Sequence, residues 1–188
     1  MFRPAGSLGG EAMAVVELTP GSRTGWFVSL LEERGVRTWP LSVDEHDRVM
    51  ATLQTAVHAA VMGFGLAMRE LGIDQGAART LGPPPYRVLA ALLARIVDGA
   101  PEVYREVQVA NPHAEEARAA LRAGVERLGP ASQSPAAFEE LLGQLRDLLG
   151  GGRHQLADQC DILFRTLPAR TTQGGNAGAP PTRAVAGE

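Results

Sequence analysis

Between Arg48 and Arg69 the chain runs for twenty residues, VMATLQTAVHAAVMGFGLAM (49–68), without a formal charge. A helix of that length could span a bilayer. Its composition argues otherwise: Thr52, Gln54, Thr55 and His58 are polar, and Ala and Gly drive insertion weakly. The stretch reads as a buried interface helix, and a helix apolar on every face needs partners on every side. That requirement points to an oligomer. The helix has a clear start, because SVDE (42–45) carries a cap residue with Glu three positions later, the capping-box pattern. It is expected to run to about Leu71.

The flanking segments differ in kind. Ahead of it, AMAVVEL (12–18) reads as a short strand and TPGS (19–22) as a turn and helix cap. Trp26, Phe27, Leu30 and Leu31 fall at helical spacing up to Gly35, and residues 36–41 read as a second strand. Residues 1–41 thus resemble the tail of an α/β unit, too short to be a domain alone. After the helix, LGPPP (81–85) breaks the chain before helices at about 86–97, 101–109, 112–129 and 134–149. Ser134 and Pro135 supply a cap and a first-turn proline. GGG (150–152) is expected to interrupt or kink the chain before a last helix to about Leu167. Residues 168–188, rich in Gly, Pro, Thr and Ala, read as a disordered tail.

Composition narrows the chemistry. Aromatics make up 5% and hydrophobic residues 45%, which favours helices packed on helices. All 18 basic residues are Arg, so Schiff-base chemistry and a P-loop lysine are excluded. A net charge of −3 with no basic block argues against nucleic-acid binding. Cys160 is alone, which rules out an internal disulfide and a Cys-based zinc site and fits a reducing cytoplasm. The opening MFRPAGSLGGEAM lacks the basic and apolar regions of a signal peptide. No metal site is expected. GFGLAM (63–68) has two glycines of a dinucleotide fingerprint, but Met68 replaces the third and the segment lies within a helix.

Three residues are out of place on their helices. His58 sits midway along the uncharged stretch, where a core histidine satisfied by a hydrogen bond is the ordinary explanation. Arg95 lies in the Ala/Leu run of 86–101, eight residues after Arg87 and on a similar face. A guanidinium there either snorkels to solvent or meets an anion, and its planar fork suits a carboxylate. Tyr104 lies one turn into the next helix. A histidine, a guanidinium and a phenol together would suit a small carboxylate.

Three stretches resemble the prephenate/arogenate dehydrogenase family in register. EHDRVMATLQTAVHAA (45–60) is similar to its Glu-His-Asp motif and following helix. PPPYRVLAALLARIVDGAPEVYREVQVANP (83–112) is similar to its Arg-containing helix, acidic turn and aromatic-containing helix. MFRPAGSLGGEAMAVVE (1–17) is similar to the stretch that begins His-Pro-Met-Phe-Gly-Pro at the end of the family's nucleotide-binding domain. The resemblance implies that Arg95 binds a substrate carboxylate. It also places His58 in the substrate pocket with Gln54 one turn before it, and Tyr104 at the pocket wall. The family oxidatively decarboxylates prephenate or arogenate with NAD or NADP. Its catalytic histidine and Gly-rich nucleotide-binding half have no counterpart in these residues, and Arg3 stands where the family has Gly.

The expectation is a mainly α protein: a helical dimerisation and substrate-binding domain (42–167), preceded by a strand–helix–strand Rossmann remnant (1–41). It would form a homodimer and bind prephenate or arogenate. It would bind no nicotinamide cofactor by itself; NAD or NADP is implied by the family, and a separate nucleotide-binding chain is one expected partner that would hold it. No catalytic residue is assigned. Two other readings stand beside it. One is a non-catalytic module that binds prephenate or an aromatic product; the other is a repurposed enzyme using the pocket without a nicotinamide.

Overall fold

The computed structural model describes residues 10–19 and 21–168. Most of the 1–17 stretch, including Arg3, and all of the expected tail (168–188) except Pro168 fall outside these residues.

Strand β1 (Ala12–Val16), helix α1 (Ser22–Glu33) and strand β2 (Arg37–Leu41) form the expected unit. The two strands pair in parallel, Ala12 opposite Arg37 through Val16 opposite Leu41. Gly35 turns the chain with φ of +78°, a conformation that costs a glycine nothing, and its N–H donates to the Glu32 carbonyl at 2.9 Å. The cap of α1 differs from the expectation. Gly21 occupies it without a side-chain bond, and the Gly21 N–H donates instead to Glu17 Oε1 at 3.2 Å. Leu31 and Val36 are buried where α1 meets the sheet.

The capping box forms as read. Ser42 Oγ accepts from the Glu45 N–H, and the Glu45 carboxylate accepts from the Ser42 N–H at 2.8 Å. From there the chain stays helical to Glu70, but not as one α-helix. After α2 (Val43–Met50), residues Ala51–Ala56 adopt a π-helical turn before α3 (Val57–Glu70). Only 17% of the apolar window in Val43–Glu70 is buried. The length and apolar character are as expected, but the described residues do not supply the cover.

A short helix α4 (Gln75–Leu81), which the periodicity did not suggest, follows with Asp74 as its cap. Then come α5 (Pro84–Val97), α6 (Pro101–Val109), α7 (Ala114–Glu126) and a one-turn α8 (Leu128–Ala131). Helix α9 (Pro135–Leu149) opens on Ser134 and Pro135 as expected. Gly150–Gly152 form a tight 3₁₀ turn, with Gly150 at φ of +55°, and α10 (Arg153–Thr166) closes the described fold. The π turn packs against α7, α2 and α6; α3 packs against α5. The buried residues Ala51, Thr55, Val61, Tyr104 and Ala114 mark this core.

Candidate functional site

The histidine and the tyrosine meet. His58, in the first turn of α3, stands edge-on to Tyr104 of α6 with ring centroids 5.3 Å apart and planes at 64°. Edge-to-face contact is the favoured geometry for such rings. Tyr104 is buried, and its hydroxyl donates to the Arg95 carbonyl at 3.4 Å. Gly99 makes that placement possible, since a Cβ there would lie 2.5 Å from Tyr104 Cε2.

The ordinary explanation for a core histidine does not hold at His58. Its Nδ1 is buried and has no hydrogen-bond partner among the described residues. Burial pushes the imidazole below its usual value, because desolvation disfavours the charged form. The ring is therefore neutral at neutral pH, with one nitrogen donating and the other accepting. An orphaned buried nitrogen is costly unless something outside the chain satisfies it.

Arg95 reaches this neighbourhood through its backbone. Its side chain is exposed on the last turn of α5. Arg87, expected on a similar face, behaves differently: it is half-buried, and its guanidinium donates to the Pro168 carbonyl after α10. It ties α5 to the end of the last described helix. Gln54 is half-buried within the π turn, one turn ahead of His58.

Sequence reasoning missed the residues that hold the π turn. Thr55 is 1% exposed. Its hydroxyl donates to the Val107 carbonyl at 3.0 Å, and its own carbonyl accepts from Gln108 Nε2 at 3.0 Å. Arg118 of α7 then donates to the Gln108 carbonyl at 2.6 Å and to Glu115 at 2.6 Å. Asn111 Nδ2 donates to the Asp47 carbonyl at 2.7 Å. Farther out, His113 Nε2 lies 3.1 Å from Asp44 Oδ1, and the Asp44 carboxyl is held below its usual range by Arg48 first and His113 second. Helical spacing announces Arg118–Glu115 and Arg48–Asp44, but no spacing rule announces the bonds from Thr55, Gln108, Asn111 and His113, which join residues more than fifty apart.

A separate cleft of about 670 Å³ lies at the C-terminal ends of β1 and β2. Val15, Glu17, Thr24, Leu41, Ser42 and Glu45 are among its walls. That edge of a parallel sheet is where α/β folds commonly bind ligands. It shares no lining residue with the His58–Tyr104 pair.

The family model for the prephenate dehydrogenase dimerization domain matches residues 42–143. A 4-amino-4-deoxyprephenate dehydrogenase from Streptomyces pristinaespiralis is 41% identical over 169 residues, covering 89% of this chain and 57% of that protein. A probable arogenate/prephenate dehydrogenase from Methanocaldococcus jannaschii is 30% identical over 108 residues, covering 54% of this chain and 24% of its own length. The chain therefore spans only part of the curated relatives it matches.

Proposed function

Because the chain belongs to the prephenate dehydrogenase family through its dimerization domain, we propose that it supplies the substrate-binding and dimerising half of an oxidoreductase of aromatic biosynthesis. The substrate class is prephenate or a close analogue such as arogenate or 4-amino-4-deoxyprephenate. The observation that carries this reading is the buried, unpartnered Nδ1 of His58 beside Tyr104, within the matched region.

Each residue has a distinct task in this proposal. Arg95 offers a guanidinium fork to a carboxylate. Neutral His58 takes or gives one hydrogen bond at Nδ1, according to its tautomer. Tyr104 closes the wall, and Gln54 adds a neutral polar contact. Residues 42–167 act as one domain, and a cytoplasmic setting accompanies the reading, supported by the single, exposed, free Cys160.

Nothing in the described residues fits a nicotinamide dinucleotide. Gly63 and Gly65 lie inside α3, and Gly65 faces Leu93 rather than an open phosphate cradle. The chemical role of NAD(P), hydride acceptance, thus belongs to a nucleotide-binding part beyond these residues, in the same polypeptide or a separate chain. Exposed Trp26, Phe27 and Trp39 beside the two-stranded sheet suit its docking, since parallel sheets are normally covered.

A second copy of the chain covers the helices. Leu53, Val57 and Leu66 are all exposed along Val43–Glu70, and such a face does not stay in water. Sedimentation should show a dimer at micromolar concentration; a stable monomer would contradict this part of the reading.

Calorimetric titration of the chain with prephenate tests the site. Wild type should bind, and Arg95→Ala should weaken binding roughly ten- to a hundred-fold, the loss of a charge-assisted contact of about 1.5–3 kcal/mol. Arg95→Lys should recover part of it. Arg34→Ala, at the end of α1, serves as the control; Arg87 does not, because it bonds the Pro168 carbonyl. Equal binding by all variants would remove Arg95 from the site.

A further inference from the structure

The π turn is the least expected element of the fold, and it sits one residue before α3, the helix that opens with Val57 and His58. Each helical residue advances about 100° around the axis. The residue that a π turn adds therefore rotates everything after it by about that amount relative to everything before. π turns are rare and survive where their surroundings hold them. Here the hold is specific. Thr55 donates to the Val107 carbonyl, and the adjacent Gln108 returns a bond to the Thr55 carbonyl. Both come from the end of α6, and Tyr104 lies on the same helix one turn before Gln108. Helix α6 thus grips the long helix twice, at Thr55 through hydrogen bonds and at His58 through the Tyr104 ring. Arg118 fixes Gln108 in turn from α7.

We propose that Thr55 and Gln108 are positioning residues: by clamping the π turn they set the rotation of α3 that places His58 against Tyr104 with Nδ1 facing inward. Loss of either bond lets the added residue migrate along the helix, and His58 turns away from Tyr104. The inference rests on the proposed substrate site for its consequence in binding, but not for its geometry.

The test follows His58 by NMR titration of its imidazole in the full chain, alongside prephenate titration by calorimetry. Thr55→Val keeps the shape and deletes the donor; Thr55→Ser keeps the donor; Gln108→Asn shortens the amide out of reach and serves if Thr55→Val does not fold. Thr55→Val and Gln108→Asn should retain helicity by circular dichroism, yet their His58 should titrate closer to a free imidazole. Their affinity for prephenate should fall roughly ten- to a hundred-fold, the scale of a misplaced contact. Thr55→Ser should match wild type in both readouts. Folded Thr55→Val or Gln108→Asn with an unchanged His58 titration overturns the proposal. If wild type binds no prephenate, the substrate reading fails, while the His58 titration still decides the positioning role.

Discussion

The helical region has two halves that treat their apolar surface in opposite ways. From α2 to α7, elements distant in sequence are joined by side-chain bonds to backbone: Thr55 to Val107, Gln108 to Thr55, Asn111 to Asp47, Arg118 to Gln108. Buried Val61, Tyr104 and Ala114 lie among them. Helices α9 and α10 bury no residue at all. Leu148 is 79% exposed, and Leu145, Leu149, Leu156, Ile162 and Leu163 are also exposed. The front half carries its own instructions for one arrangement, because directional bonds accept few alternatives. The two rear helices carry surface without instructions, and their order depends on what covers them.

The contrast can be broken most forcefully at Tyr104. Tyr104→Ala removes the largest side chain of the front core and should cost about 3–5 kcal/mol, read as a lower denaturation midpoint. A loss under about 1 kcal/mol would mean that the front is no better consolidated than the rear. Leu148→Asp should leave the unfolding of the front nearly unchanged while raising the dimer dissociation constant about tenfold or more, through a charge on an apolar contact. Sedimentation over a dilution series reads this, and an unaltered constant would place Leu148 outside any interface.

Asn111→Ala sharpens the comparison on a smaller scale. It removes the bond to the Asp47 carbonyl, which keeps only the Ala51 N–H, and it removes the acceptor of the His113 N–H. The loss should cost about 1–2 kcal/mol, whereas an exposed polar substitution on α10, such as Gln159→Ala, should stay within about 0.5 kcal/mol. The smallest effect is one of pH. His58 is depressed by burial, so the unfolded chain takes up the proton first as pH falls. Its contribution is complete above the ordinary imidazole value of about 6.5 and is lost as pH drops through the lower folded value. His58→Phe should flatten that part of the stability–pH curve; an unchanged slope would show that the imidazole is solvated.

What the sequence made legible follows the same division. Local signals were read well. The Ser42–Glu45 box, the Gly35 stop, the Ser134–Pro135 start and the Gly150–Gly152 break depend on a few adjacent residues, and each forms where expected. The family resemblance was legible because three motifs kept their order. The π turn was not, since ATLQTA (51–56) has nothing that distinguishes it from ordinary helix; its cause lies at Val107 and Gln108. Spacing placed Arg87 and Arg95 on similar faces with Arg87 taken as exposed, whereas Arg87 is half-buried and bonds the Pro168 carbonyl after α10, a contact that lies too far along the chain for spacing to reveal. Helix α4 was hidden because QGAARTL has no apolar stripe.

Gly65 has a consequence for how the protein can change over generations. A Cβ there would stand 2.7 Å from a methyl of Leu93, where α3 crosses α5. Hydrogen alone at this position leaves the Leu93 isobutyl group where it stands. Any larger replacement meets Leu93 first, and a turn of that flexible side chain or a small shift of the helices that bear His58 and Arg95 must make room. Mutation at Gly65 is thus a dial that acts through Leu93, which absorbs added bulk before it reaches the space between the two helices.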